Sequence, residues 1–163
     1  MKTVICYTYY ESPSSIYNLR FFVENELKYR ENIDYIIVIN GMKCSVSLPE
    51  LNNLTVIRRE NTGFDFGGHS TALNYIKTNN IHYDYFFYLN SGVIGPIVPH
   101  YLTPKMHWSN FFIEKINDKV KLVGTTIVCL PHHDDGGYGP KVEGFFFVTD
   151  RVGMDIIDRE KTV

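Results

Sequence analysis

The run Tyr35-Ile36-Ile37-Val38-Ile39-Asn40-Gly41 is apolar almost without a break and β-branched through its middle. A half-exposed strand alternates apolar and polar residues. An unbroken run is buried on both faces, the condition of a parallel sheet covered by helices. Val4–Tyr10, closed by Ser12-Pro13, reads as a first strand, Leu54–Arg59 as a third and Tyr85–Leu89 as a fourth. Leu122–Val128 and Phe145–Val148 read as a fifth and sixth. A helix is predicted from Ser14 or Ser15, with a serine as its N-cap and Ile16, Leu19, Phe22, Val23 and Leu27 on one face. Another is expected after Gly67-Gly68, carrying Leu73 and Ile76 and ending at Asn79-Asn80. The order β-α-β-β-α-β, followed by a looser second half, predicts an α/β fold with a mostly parallel central sheet and flanking helices.

Pro96, Pro99 and Pro104 forbid regular structure between Gly95 and His107, and Asp134–Pro140 reads as a mobile glycine-rich loop. A last helix after Arg151 is expected to bury Val152, Ile156 and Ile157. The sequence stops where that helix needs a partner, so the chain is either a minimal domain or a fragment of a longer one.

The length of 163 residues, with 44% hydrophobic and 21% charged, fits a single domain. A net charge of -2 gives no basic footprint, which speaks against duplex DNA or RNA as a partner. Aromatics reach 15%, suited either to stacking on bases and sugar rings or to packing strands. Cys6, Cys44 and Cys129 are far apart and lack metal or redox spacing, so reduced structural thiols are expected. The apolar run after Met1-Lys2-Thr3 is short, and none reaches the roughly 18 residues of a membrane span. A cytosolic or cytosol-facing protein without a transmembrane segment is expected.

Two segments carry the functional signal: Arg59-Glu60-Asn61-Thr62-Gly63-Phe64-Asp65-Phe66-Gly67-Gly68-His69, and Tyr85–Leu89 followed by Asn90-Ser91-Gly92-Val93-Ile94-Gly95-Pro96. The first is a glycine-bearing turn that opens a helix. The second is a buried strand ending abruptly in small polar residues, where open α/β sheets hold nucleotide-type ligands. Asp65 could accept from a base N–H or a ribose hydroxyl, or could cap the helix that follows. Gly67 and Gly68 permit a close backbone approach, a tight turn, or both. His69 reads as a polar residue at a helix start. Asn90, Ser91 and Gly92 are candidates for contact with the ligand. His132, His133, Asp134 and Asp135 lack the spacing of a metal cluster and read as a lid or acceptor loop.

Together these motifs resemble the GT-A fold of nucleotide-sugar-dependent glycosyltransferases. Asn61-Thr62-Gly63 stands where many inverting members carry Asn-x-Gly, and Asn90-Ser91-Gly92 where they carry an Asp-x-Asp-like motif. Leu89–Pro96, Trp108, Lys121–Ile127 and Phe147–Gly153 are similar to a plant, fungal and large-virus subgroup, and the resemblance spans residues 1 to about 157. It implies a single domain over 1–163, with a nucleotide-binding half at 1–95 and an acceptor and donor-sugar half at 96–163. It implies a hexosyl- or deoxyhexosyltransferase acting from a nucleotide-sugar donor, a UDP-sugar favoured, on a glycan or glycoconjugate acceptor.

The same resemblance places Tyr7, Thr8, Tyr9 and Asn40 around the base and ribose, although Tyr7 and Tyr9 could equally alternate into the core. In that family the base usually lies after the sixth strand, which leaves Glu143 and Asp135 only as fallback bases; Glu143 could instead touch a sugar hydroxyl or be an exposed edge carboxylate, and Trp108 and the 132–143 loop are placed on the acceptor side. Asn90-Ser91-Gly92 departs from Asp-x-Asp by offering no charge. A Mn²⁺ or Mg²⁺ ion, if used, would then be held largely by the diphosphate. A binding module without chemistry is the alternative. A hydrolase or nucleotidyltransferase is a weaker one, since neither Gly-x-x-x-x-Gly-Lys-Ser/Thr nor Gly-x-Ser-x-Gly occurs.

Overall fold

The computed structural model describes residues 1–102, 106–131, 133 and 139–159. The first half is built from β1 (Thr3–Tyr10), α1 (Pro13–Asn25), β2 (Ile33–Asn40), β3 (Leu54–Arg59), α2 (Phe64–Thr78) and β4 (Tyr85–Asn90). The second half adds α3 (Asn110–Ile113), β5 (Leu122–Gly124), β6 (Ile127–Cys129), β7 (Pro140–Val142), β8 (Phe146–Asp150) and α4 (Arg151–Arg159). Six strands form one sheet in the order β3-β2-β1-β4-β8-β5. β3, β2, β1 and β4 run parallel, and β8 lies antiparallel between β4 and β5. The protein is therefore an α/β structure with a mostly parallel central sheet flanked by helices.

Burial on both faces explains the unbroken apolar strands. On β1, Ile5, Tyr7 and Tyr9 pack with Leu19 and Phe22 of α1, while Val4 and Cys6 pack with Ala72, Leu73 and Ile76 of α2. The chain leaves β1 toward β2 and β3, then returns through α2 to β4 on the other side of β1. The order thus reverses between β1 and β4. At such a reversal the two connections diverge and open a crevice at the carboxyl ends of the strands.

Four local expectations need correction. The N-cap of α1 is Ser12, not Ser14 or Ser15; its hydroxyl accepts from the Ser15 N–H at 3.1 Å and Pro13 opens the helix, where its missing N–H costs nothing. The expected strand 122–128 is two strands. Its first part pairs with β8, and after Gly124 the chain leaves the sheet to form a separate ribbon of β6 and β7. The strand expected at 145–148 runs from Phe146 to Asp150. In α4 the buried residues are Gly153 and Met154, with Ile157 packed beside them, while Val152 and Ile156 face outward. A side chain at position 153 would collide with Thr149 Oγ1, so the glycine lets the helix lie against β8. The Asp134–Pro140 loop lies, apart from its last two residues, outside the described residues.

Candidate functional site

The glycine turn works differently from a simple reading of its sequence. α2 begins at Phe64, so Gly67 and Gly68 lie inside its first turns rather than before it. Gly63 takes a left-handed conformation (φ 71°), and so does Phe64 (φ 48°), a strained state for a residue with a side chain. Asn40, at the end of β2, holds it there: its amide donates to the Phe64 carbonyl at 2.9 Å, and its oxygen accepts from Arg59 at 2.6 Å. Arg59 also donates to the Thr62 carbonyl at 2.7 Å. A Cβ on Gly67 would run into that carbonyl, and one on Gly68 would run into the Thr8 side chain. The two glycines let the amino end of α2 drop onto β1, next to the strand-order reversal.

This closeness brings Asp65 to Asn90, whose amide donates to Asp65 Oδ2 at 2.6 Å across 25 residues of sequence. The Asn90 oxygen accepts from the Gly92 N–H at 2.9 Å and shapes the turn after β4. Ser91 stitches the elements together. Its N–H donates to the Thr8 carbonyl, its carbonyl accepts from Asn18 of α1 at 2.9 Å, and its hydroxyl accepts from the Tyr10 N–H at 3.4 Å. Asp65 and Asn90 are half-buried and Gly92 is exposed, so all three border the crevice.

Tyr7, Thr8, Tyr9 and Asn40 do not line it. All four are at most 1% exposed. The Tyr7 ring packs on Phe22 at 4.7 Å, and burial pushes both tyrosine phenols up from their ordinary value. Thr8 Oγ1 lies 3.0 Å from His69 Nδ1, and His69 is a buried bridge between α2 and β1 rather than an exposed helix-start residue. The aromatic that emerges from β1 is Tyr10, 53% exposed and placed against Gly41 at the end of β2. The sequence carries no signal for it, because the three tyrosines of β1 differ only in how far the helices reach over them. Arg59 opens the glycine-bearing segment, but the sequence assigns it no role; it is the positive charge fixed at the rim by the Asn40 and Thr62 bonds.

Glu143 follows β7 and is half-buried, its N–H donating to the Thr126 carbonyl at 3.2 Å. The adjoining Gly144 lies against the Phe66 ring, which sets this segment beside the first turn of α2. Asp135 lies outside the described residues. Trp108 is buried rather than exposed. It is 7% exposed and packs edge-on to Phe87 at 5.4 Å.

Among the described residues, the donors at this point do not by themselves fit a divalent cation held by the protein. Asp65 is the carboxylate that meets the Asp-x-Asp position, one of its oxygens is engaged by Asn90, and the Asn90 oxygen is engaged by Gly92. Among the described residues no group of three His, Cys, Asp or Glu could hold a metal ion. Oxygen-liganded cations take about six donors. Also among the described residues, no helix is long and apolar enough to cross a membrane.

No family model matches the chain, and no curated protein does. Among solved structures, the apo-form glycosyltransferase GlyE of Streptococcus pneumoniae TIGR4 is similar over 100% of this chain, at 12% identity and a TM-score of 0.36. The chain spans 39% of the length of that protein.

Proposed function

We propose that this chain binds a nucleoside diphosphate sugar, a UDP-sugar first, in the crevice at the carboxyl ends of β1, β2 and β4, and serves sugar transfer to a glycan or glycoconjugate acceptor. The observation that carries this reading is the convergence of Asp65 and Asn90 at the strand-order reversal, 2.6 Å apart. Two glycines and a strained Phe64 sustain it, features a purely structural turn does not need. The GT-A-like motif order points the same way. Asp65 keeps one carboxylate oxygen for a ribose hydroxyl or a base N–H, the exposed Tyr10 ring offers a stacking face, and the Arg59 guanidinium favours the charge of a diphosphate. Inverting transfer also needs a base on the acceptor hydroxyl, and Glu143, beside the first turn of α2, is the described carboxylate placed for it.

A second reading, a binding module without chemistry, is favoured by one observation: Asn90 spends both ends of its amide inside the protein and brings no charge to the leaving group. Titration calorimetry with UDP, UDP-glucose and GDP-mannose, in Mn²⁺ and in EDTA, tests both. Binding of the UDP species in EDTA is expected. Asp65→Ala should weaken it about tenfold, the value of one charge-assisted hydrogen bond. No heat with any of the three, or an unchanged affinity in Asp65→Ala, would remove the crevice assignment. Release of glucose from UDP-glucose, lost in Glu143→Gln, separates the enzyme from the module.

A further inference from the structure

Behind the end of β4, on the α1 face of the sheet, lies a cavity of about 450 Å³. Its floor is Leu89 and Phe146, its wall Trp108 and Phe112, and its rim Ile94 and Val98 of the segment that follows Asn90-Ser91-Gly92. Among the described residues that line it, Thr125 is the one with a polar hydroxyl or amide side chain. The volume falls within the range of small-molecule sites and is about three times that of an apolar cavity known to admit benzene. At its rim Ile94 is 39% exposed and Ile97 71% exposed, so apolar surface continues outward from the cavity. In the wall, Trp108 is more than nine-tenths buried and its indole N–H has no hydrogen-bond acceptor among the described residues. Leaving such a donor unpaired costs about 1–3 kcal/mol, which an oxygen brought to it would recover. The nitrogen itself has no exposed surface, so a ligand oxygen pairs with it only when the Trp108 side chain turns in the wall, a rearrangement of the kind common on binding.

We infer that this cavity binds an aryl or alkyl group carrying a hydrogen-bond-accepting oxygen, paired to the Trp108 N–H. The cavity and the crevice share the end of β4: Leu89 faces the one and Asn90 the other, and the Asn90 N–H donates to the carbonyl of Phe145, another cavity residue, at 3.2 Å. On the sugar-transfer reading, on which this role rests, the cavity holds the apolar part of the acceptor. Binding itself does not depend on that reading.

Trp108 is the chain's single tryptophan, so its fluorescence reports occupancy directly. The full chain is titrated with 2-naphthol, whose absorption overlaps indole emission, and naphthalene, which has the same rings and no oxygen, is measured by its displacement of 2-naphthol. Saturable quenching is expected, with 2-naphthol binding about tenfold tighter than naphthalene, the worth of one recovered hydrogen bond. Ile94→Phe, at the half-exposed rim, should fill the cavity and weaken both probes at least tenfold while leaving the melting temperature near wild type. Trp108→Phe, followed by calorimetry, should abolish the preference for 2-naphthol. If that variant does not fold, the ratio of the two probes on wild type decides the question alone. Absence of saturable quenching, equal affinity of the two probes, or unchanged binding in Ile94→Phe would overturn the inference. UDP calorimetry runs in parallel: naphthol binding without UDP binding removes the crevice reading and keeps the cavity, and the converse does the reverse.

Discussion

Gly68→Ala tests the packing that assembles the crevice. Gly68 is buried where α2 crosses β1, and a methyl group there would overlap Thr8 Cγ2, with Oγ1 at 2.6 Å and Cβ at 3.1 Å. Thr8 cannot yield easily, because it is paired with Val38 of β2 on one side and with Asn90 at the end of β4 on the other, and its hydroxyl is engaged with His69. Overpacking of this kind costs about 1–3 kcal/mol, and exchanging glycine for alanine inside a helix returns up to about 1 kcal/mol. A net loss of about 1–2 kcal/mol is expected, which for a chain of this size lowers the melting temperature by roughly 3–6 °C. Thr8→Ala removes the two nearest atoms, so Thr8→Ala/Gly68→Ala should lose less than the sum of the single variants, with a coupling of about 1 kcal/mol. Urea titrations of the four proteins give the cycle. A Gly68→Ala variant as stable as wild type, or strict additivity, would refute the claim that contact with Thr8 sets the height of α2.

Three further outcomes are expected. Phe87→Ala, at a fully buried ring touching Trp108, Phe112 and Phe146, should cost about 3–5 kcal/mol in urea, and a loss under 1 kcal/mol would contradict its place in the core. Bonds from Lys43 and Ser45 hold the Glu11 carboxyl down at about 2, so its stabilisation is full above the ordinary carboxylate range and fades as pH falls toward that value. Between about pH 5 and pH 2 the wild type should therefore lose more melting temperature than Glu11→Gln, and parallel curves would show that Glu11 does not pin the loop after β2. Asn90→Asp sets two carboxylates at hydrogen-bond distance; it should lose about 1–3 kcal/mol at pH 7 in EDTA and recover on acidification or with added Mn²⁺, and an unchanged melting temperature in EDTA would deny the Asp65 contact.

The interior of the sheet was legible because burial on both faces writes itself into sequence as unbroken apolar runs, and β1 to β4 fall where those runs lie. The second half was not, since β5, β6 and β7 are three residues each and leave too short a pattern to show which sheet they join. In α4 large apolar residues suggested the wrong face; close approach to β8 selects Gly153, whose lack of a side chain carries no hydrophobic signal. At the site, Asp65, Gly67, Gly68 and Asn90-Ser91-Gly92 were readable as interruptions of periodic segments. The exchange of Tyr10 for Tyr7 and Tyr9 was not, because three tyrosines on one strand differ only in how far α1 and α2 extend over them. Arg59 was hidden for a different reason: its role depends on Asn40, and nothing in sequence pairs residues on neighbouring strand ends.

The end of β4 shows why one strand can serve two chemistries. Successive side chains point to opposite faces, so Tyr88 and Asn90 belong to the α2 side, while Phe87 and Leu89 belong to the α1 side. A one-residue slip would carry Leu89 into the polar crevice and Asn90 into the apolar cavity, leaving an unpaired amide in one and no partner for Asp65 in the other. Pairing on both edges forbids that slip, with Thr8 opposite Asn90 in β1 and Phe146 opposite Leu89 in β8. The residue that fixes the register from β8 is also part of the cavity floor. Changes at Phe146 should therefore disturb both sites together, whereas changes at Ile94 should reach the cavity alone.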